Sequence, residues 1–201
     1  MKTGLLAIAL AFLTLPALAQ TPRGVTPTQA ANRAAIVQAL SRGPDFTSQD
    51  QQYQLLPTAR AAQRQPDETS AQQTVQRHGA SAADFIETKG EFVVFRAAAQ
   101  AGARLAASHG STLYPTALNA RTGGIGILPG TLIVLPKNMN TVQAIANDHG
   151  LELVRAYAHL KTAFYRVKPG QDLLAAATAL AADARVELAE PEVIEIMRVP
   201  R

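Results

Sequence analysis

Apolar and polar positions follow a regular order in the last third of the chain. Thr131-Leu132-Ile133-Val134-Leu135 is short, β-branched and nearly continuous in apolar character, which predicts a buried strand. Asn138, Asn140 and Thr141 are helix-capping residue types. Val142, Ile145, Ala146 and His149 then recur at helical spacing until Gly150 ends the pattern. Leu151–Tyr157 alternates as a strand, and so does Thr162–Val167. Lys168-Pro169-Gly170 reads as a turn. Asp172 opens a second helix, where a carboxylate suits the helix dipole. Leu173, Leu174, Ala177, Leu180 and Ala181 form its apolar stripe. Val186–Ala189 and Val193–Ile196 finish the chain as extended structure, interrupted at Pro191. The order β-α-β-β-α-β predicts an α+β, ferredoxin-like domain over residues 130–201. Both helices would cover one face of a four-stranded antiparallel sheet. The other face would be open, and needs polar cover or a partner.

The upstream pattern is weaker. Glu91–Arg96 and Thr112–Ala120 read as strands, and Ile125–Leu128 resumes extended structure after the turn Asn119–Gly124. Ala97–Ala107 is Ala-rich and suits a short helix ending near Gly110. Residues 81–129 are therefore expected to form a strand-rich extension. Residues 20–80 are expected to be a low-order polar region. One helix is expected there over Thr28–Leu40, where Ala31, Ala34, Ala35 and Ile36 give a weak apolar face. From Ser41 to His78 the composition is polar and broken by Pro44, Pro57 and Pro66.

The first nineteen residues read as a secretory signal peptide. Lys2 gives the positive start, Leu5–Leu15 the apolar stretch, and Ala17-Leu18-Ala19 a cleavage site before Gln20. The stretch is short of the roughly 20 residues a membrane span needs. The expected localisation is periplasmic or extracellular, with no membrane association after cleavage. Cysteine is absent, which excludes disulfides, thiolate metal sites and a lipid anchor on Cys. The net charge of +4 is scattered, without the basic stripe that nucleic-acid binding requires. Aromatic residues make up only 5% of the chain and Trp is absent, which argues against a large aromatic-lined pocket.

Catalytic constellations are also missing. His78, His109, His149 and His159 show no metal-ligand spacing. There is no G-x-S-x-G elbow, and Ser108 beside His109 is adjacency rather than a triad. Gly123-Gly124-Ile125-Gly126 is followed by Pro129-Gly130 and a strand, so it is a turn and not a phosphate loop. The expectation is a non-enzymatic protein without metal or cofactor.

A family resemblance adds to this reading. Gly130–Val134, Ala144-Ile145-Ala146, Gly150–Val154, Phe164–Val167 and Val186-Glu187-Leu188-Ala189-Glu190-Pro191-Glu192 resemble the N-terminal prodomains of subtilisin-family proteases, most closely the fervidolysin-like branch. The closing Val-Glu-x-Ala-Glu-Pro run is the most specific piece. The resemblance spans Gly130 to Val199. In such proteases a catalytic domain follows, whereas this sequence stops at Arg201, so a stand-alone propeptide is expected. The resemblance implies a secreted inhibitor or folding chaperone of a separately encoded subtilisin-like serine protease. It implies that the open sheet face packs on two protease helices, with Glu190 and Glu192 over their N-termini, where amides and dipole favour anions. It implies further that Glu195, Ile196, Met197, Arg198, Val199, Pro200 and Arg201 enter the protease cleft as an added strand. Arg198 and Arg201 both remain candidates for the primary pocket. The plainer alternative makes Glu190 and Glu192 solvated charges beside a Pro turn, and Arg198 and Arg201 a frayed end. A second functional reading is a periplasmic interaction or ligand-binding module of the same fold, because fold does not fix function.

Overall fold

In the computed structural model, residues 27–97 and 113–195 are described. Helix α1 spans Pro27–Ala39. Strands β1 (Asp45–Ser48) and β2 (Gln51–Gln63) follow, then helix α2 (Ala71–Arg77). Strands β3 (Phe85–Lys89), β4 (Phe92–Arg96), β5 (Tyr114–Asn119) and β6 (Ile125–Ile127) complete the first sheet. The remaining elements are β7 (Thr131–Pro136), α3 (Val142–Asp148), β8 (Glu152–Tyr157), β9 (Thr162–Arg166), α4 (Leu173–Ala181) and β10 (Val186–Pro191). The molecule is mixed α and β, with antiparallel sheets.

The first sheet runs β3-β4-β2-β5-β6, and β1 pairs with β2 outside that path. The 13 residues of β2 let it hold β1 and β4 end to end along one edge, with β5 along the other. Its pairing with β5 jumps from Leu56↔Thr116 to Arg60↔Pro115. Pro57 lies inside that irregularity and Pro115 at its margin, where a missing backbone N–H is tolerated. The polar stretch from Ser41 to His78, expected to be low in order, is therefore ordered, with β1 and β2 in this sheet and α2 packed against it. The inward positions in the second half of β2 are small: Ala59, Ala61 and Ala62 are fully buried, following the larger Tyr53, Leu55 and Leu56. Alanine at such positions gives little apolar periodicity, so the strand is concealed among glutamines. Strand β4 is buried on both sides. Phe92 and Val94 join Val37 of α1 and Leu40 just beyond it in one core, while Val93 and Phe95 pack with Val75 of α2 in another.

The second sheet has the order β10-β7-β9-β8, and every neighbouring pair is antiparallel. Buried positions alternate on the inner strands. Leu132, Val134, Ala163 and Tyr165 face α3 and α4, meeting Ile145, Ala146, Leu173 and Leu180. Local chemistry sets both helices. The Asp172 carboxylate accepts the Ala175 N–H at 2.8 Å and caps α4. Gly150, at φ +65°, ends α3 while Leu151 N–H donates to Ala146 C=O at 2.8 Å. Tyr165, fully buried, donates its hydroxyl to Val142 C=O at 2.9 Å, tying β9 to the start of α3.

The two sheets share a core. Tyr53, Leu55, Ala117 and Leu128 pack in one cluster with Leu132, Val134 and Tyr165, and Phe46 stacks on Tyr53 with ring centroids 5.5 Å apart. Residues 1–19, expected to be a signal peptide, most of the helix expected over Ala97–Ala107, and residues Ile196–Arg201 lie outside the described residues.

Candidate functional site

The second sheet exposes the face opposite its helices. Ile133, Leu135, Phe164 and Arg166 alternate with the buried residues and are half-buried. The edge strands add Val154 (41% exposed) and Leu188 (40% exposed), both large apolar side chains open to solvent. Arg155 lies over the Tyr157 ring at 5.7 Å and donates to the Tyr157 hydroxyl at 2.8 Å. Tyr157 meets Phe164 edge-on at 5.9 Å. A sheet face with an aromatic pair, aliphatic side chains and an arginine suits a protein partner better than a small polar ligand. Beside it, β1, α4 and β10 enclose an open groove of about 510 Å³, lined by Phe46, Leu174, Ala177, Leu188 and Glu190 among others.

The three acids singled out by the sequence lie in succession where β10 leaves its sheet. Glu190 is half-buried, and its carboxylate accepts the Gln49 N–H at 2.8 Å. Gln49 and Asp50 form the tight turn between β1 and β2, with φ of +50° and +59°. Glu190 thus satisfies a turn amide within its own chain. Glu192 is half-buried, and its backbone N–H donates to Thr131 C=O at 2.8 Å. Burial pushes the Glu192 carboxyl up from its ordinary value, partly offset by a hydrogen bond with the Thr131 side chain. Glu195 is the last described residue, and Asn119 Nδ2 donates to its carboxylate at 2.7 Å.

Between these acids the chain crosses to the first sheet. Ile194 forms an antiparallel bridge with Ile127 of β6, with both N–H···O=C distances at 2.9 Å. Val193 lies directly over Gly126, leaving no room there for a Cβ. Ser48 Oγ donates to Pro191 C=O at 2.7 Å, which pins the end of β10 to the β1–β2 turn. The segment expected as a free extended tail from Glu195 is therefore held by the body of the protein up to that residue. Ile196, Met197, Arg198, Val199, Pro200 and Arg201 lie outside the described residues.

Sequence reasoning missed the residues that hold this segment: Ser48, Asn119, Ile127, and Lys89, whose Nζ donates to the Glu195 carbonyl. Only Gly126 left a signal, as a glycine inside an apolar strand. Among the described residues no three His, Asp or Glu side chains converge in a way that would hold a metal ion. His149 accompanies Asp183 at 2.9 Å, and Arg185 bridges Asp183 and Asp148 at 2.7 Å each. That cluster joins the end of α3 to the approach to β10, and Arg185 holds the Asp183 carboxyl well below the usual range.

Comparisons with known proteins place the chain in context. The family model described as "Open reading frame 2 N-terminal domain" matches residues 29–200. Among curated proteins, none matches. A solved structure described as the crystal structure of Aeromonas sobria serine protease (ASP) and the chaperone (ORF2) complex has one chain with 22% identity to this one. The match covers 58% of this chain and 99% of that one, at a TM-score of 0.37.

Proposed function

The chain belongs to the open reading frame 2 N-terminal domain family, and from that premise we propose that it is a secreted chaperone and inhibitor of a separately encoded serine protease of the subtilisin type. The family's designation, open reading frame 2, is also the one borne by the chaperone in the Aeromonas sobria complex. That shared designation brings the chaperone reading to this chain; the coarse likeness of coordinates contributes nothing to it. In this reading the module from β7 to β10, with its strand order β10-β7-β9-β8, is ferredoxin-like and presents its helix-free face to the protease. Glu192 lies over a protease helix N-terminus, and residues 196–201 occupy the cleft as an added strand. The protein has no catalytic role of its own.

One observation carries the geometric part of the reading. A half-apolar sheet face, with Phe164, Ile133 and Leu135, belongs to the sheet whose edge strand β10 runs on through residues 192–194 to Glu195, the last described residue. One partner surface can thus engage face and tail together, so that the second contact forms intramolecularly.

The test compares the full chain with a chain lacking residues 196–201. Two probes are used with chromogenic peptides: a broad-specificity subtilisin-type endopeptidase and one that cleaves after arginine. Inhibition by the full chain is expected, with a loss of at least a hundredfold on truncation and an unchanged melting temperature. Equal inhibition by the truncated chain overturns the tail-in-cleft geometry. If the full chain neither inhibits nor assists refolding of either probe, the protease reading itself fails.

A further inference from the structure

The segment 193–195 contacts both edge strands of the first sheet, β6 and β3. On one side, Ile194 pairs with Ile127 of β6 through two hydrogen bonds of 2.9 Å. On the other, Lys89 at the end of β3 donates its Nζ to the Glu195 carbonyl at 2.9 Å. The Glu195 side chain turns inward, where Asn119 Nδ2 donates to it at 2.7 Å. The Tyr53 hydroxyl faces the same carboxylate, and burial together with that neighbour pushes it up to about 12. Behind Lys89, Glu87 lies at 3.4 Å and is itself paired with Arg33 of α1 at 2.6 Å. Charges thus alternate from α1 through β3 to the departing strand: Arg33, Glu87, Lys89, Glu195. Glu195 is held at both its carbonyl and its carboxylate, by Lys89 from the edge strand β3 and Asn119 from the inner strand β5 of one sheet.

Ordinary packing would leave the exit of a chain loosely defined, because the last residues before a terminal segment usually fray. Here polar groups from β2, β3 and β5 converge on one residue, and a glycine in β6 makes room for the residue two before it. We propose that Lys89, Asn119 and Tyr53 form a clasp on Glu195 that positions the exit of residues 196–201. The clasp fixes Glu195, the residue from which that segment continues. The first sheet, which lies largely outside the propeptide resemblance, then has a role: it is the support that pre-orients the tail. Pre-orientation reduces the ordering cost of binding and so strengthens it without adding a contact. The inference rests on the protease reading above; Lys89, Asn119 and Glu195 are positioning residues, not part of the contact itself.

Two measurements test it, one of which needs no protease partner. Trypsin cleavage after Arg198 requires the residues before it to enter an enzyme cleft as an extended strand, and the clasp withholds Glu195 from that. Loss of residues 199–201, followed by intact mass, is expected to accelerate about tenfold in Glu195→Ala, Asn119→Ala and Lys89→Met. Glu195→Gln keeps an oxygen for Asn119 Nδ2 and is expected to behave like the parent. Equal cleavage in all variants overturns the clasp. The second measurement is inhibition of the subtilisin-type probe, expected to weaken about tenfold in the same three variants and to be retained in Glu195→Gln. In a chain lacking residues 196–201, Asn119→Ala and Lys89→Met should have no further effect on binding to the probe. A persisting effect there, or faster cleavage with unchanged inhibition, overturns the positioning role. If the parent chain inhibits neither probe, the protease reading fails while the trypsin result still decides the clasp.

Discussion

Leu128 tests whether the two sheets form one folding unit. It lies between β6 and β7, is fully buried, and belongs to the cluster that joins Tyr53, Leu55 and Ala117 to Leu132 and Val134. Its backbone N–H donates to Pro115 C=O at 2.9 Å, so its place is fixed from the first sheet. Leu128→Ala removes three carbons, worth about 2.4 kcal/mol at ~0.8 kcal/mol each. A residual cavity on the order of 50 Å³ adds about 1.2 kcal/mol at ~24 cal/mol per Å³. The expected loss is about 3.5 kcal/mol, equivalent to roughly 7–14 °C in melting temperature for a chain of this length. The chain lacks tryptophan, so Tyr114→Trp in the first sheet and Phe164→Trp on the open face of the second give separate fluorescence reporters. Urea unfolding followed by each should give one midpoint, and Leu128→Ala should lower both equally. Two midpoints in the parent, or a shift confined to one reporter, would refute a common core.

Two acids give further expectations. Glu68 accepts from Arg77 Nε at 2.7 Å, Thr74 Oγ1 at 2.7 Å and Gln65 N–H at 2.8 Å, and Arg77 foremost holds it at about 2. A lowered folded-state value stabilises above the ordinary 4.5 and is lost as pH falls towards 2. Glu68→Gln should therefore reduce the acid-limb slope of the urea midpoint between those values; Asp183, also held low, keeps the slope above zero. Glu192 is pushed the other way, by burial. Docking on a helix N-terminus would lower it again, so affinity for the subtilisin-type probe should rise with pH through the Glu192 titration and lose that dependence in Glu192→Gln. A pH profile unaltered by the substitution would place Glu192 away from any such dipole.

The sequence made the second sheet and its helices legible because their signals are local. Strand β7 is a continuous apolar run, α4 has an aspartate cap and a leucine–alanine stripe, and Gly150 ends α3. Each of these expectations agrees with the observed element within a residue or two. The first sheet was only partly legible. Strands β4, β5 and β6 stood out by their aromatic and β-branched residues, and α1 by its spacing. Strand β2 did not, because half of its buried residues are alanines and glutamines stand at both its ends. Its burial comes from pairing with β1, β4 and β5, and no window of residues reports three partners at once. Pro57 then reads as a breaker, although it occupies an irregularity that a proline suits.

The three acids show where local reading stops and why their chemistry divides. Their identification came from a motif, and the motif treats Glu190 and Glu192 alike and Glu195 as the start of a tail. Their partners are 141 residues away for Glu190 at Gln49, and 76 and 106 residues away for Glu195 at Asn119 and Lys89. Those separations have no sequence signature, yet they decide what each acid is available to do. Glu190 already accepts a turn amide, and drawing it to a partner would leave the Gln49 N–H without its acceptor. Glu195 is engaged at carbonyl and carboxylate. Glu192 differs from both: it is half-buried, its carboxyl is raised by desolvation, and it forms no ion pair among the described residues. A buried carboxylate without a cation gains most from a positive end supplied from outside. Of the two acids in the propeptide-like motif, the fold leaves Glu192 without an ion pair among the described residues and uses its neighbours to hold the strand that carries it.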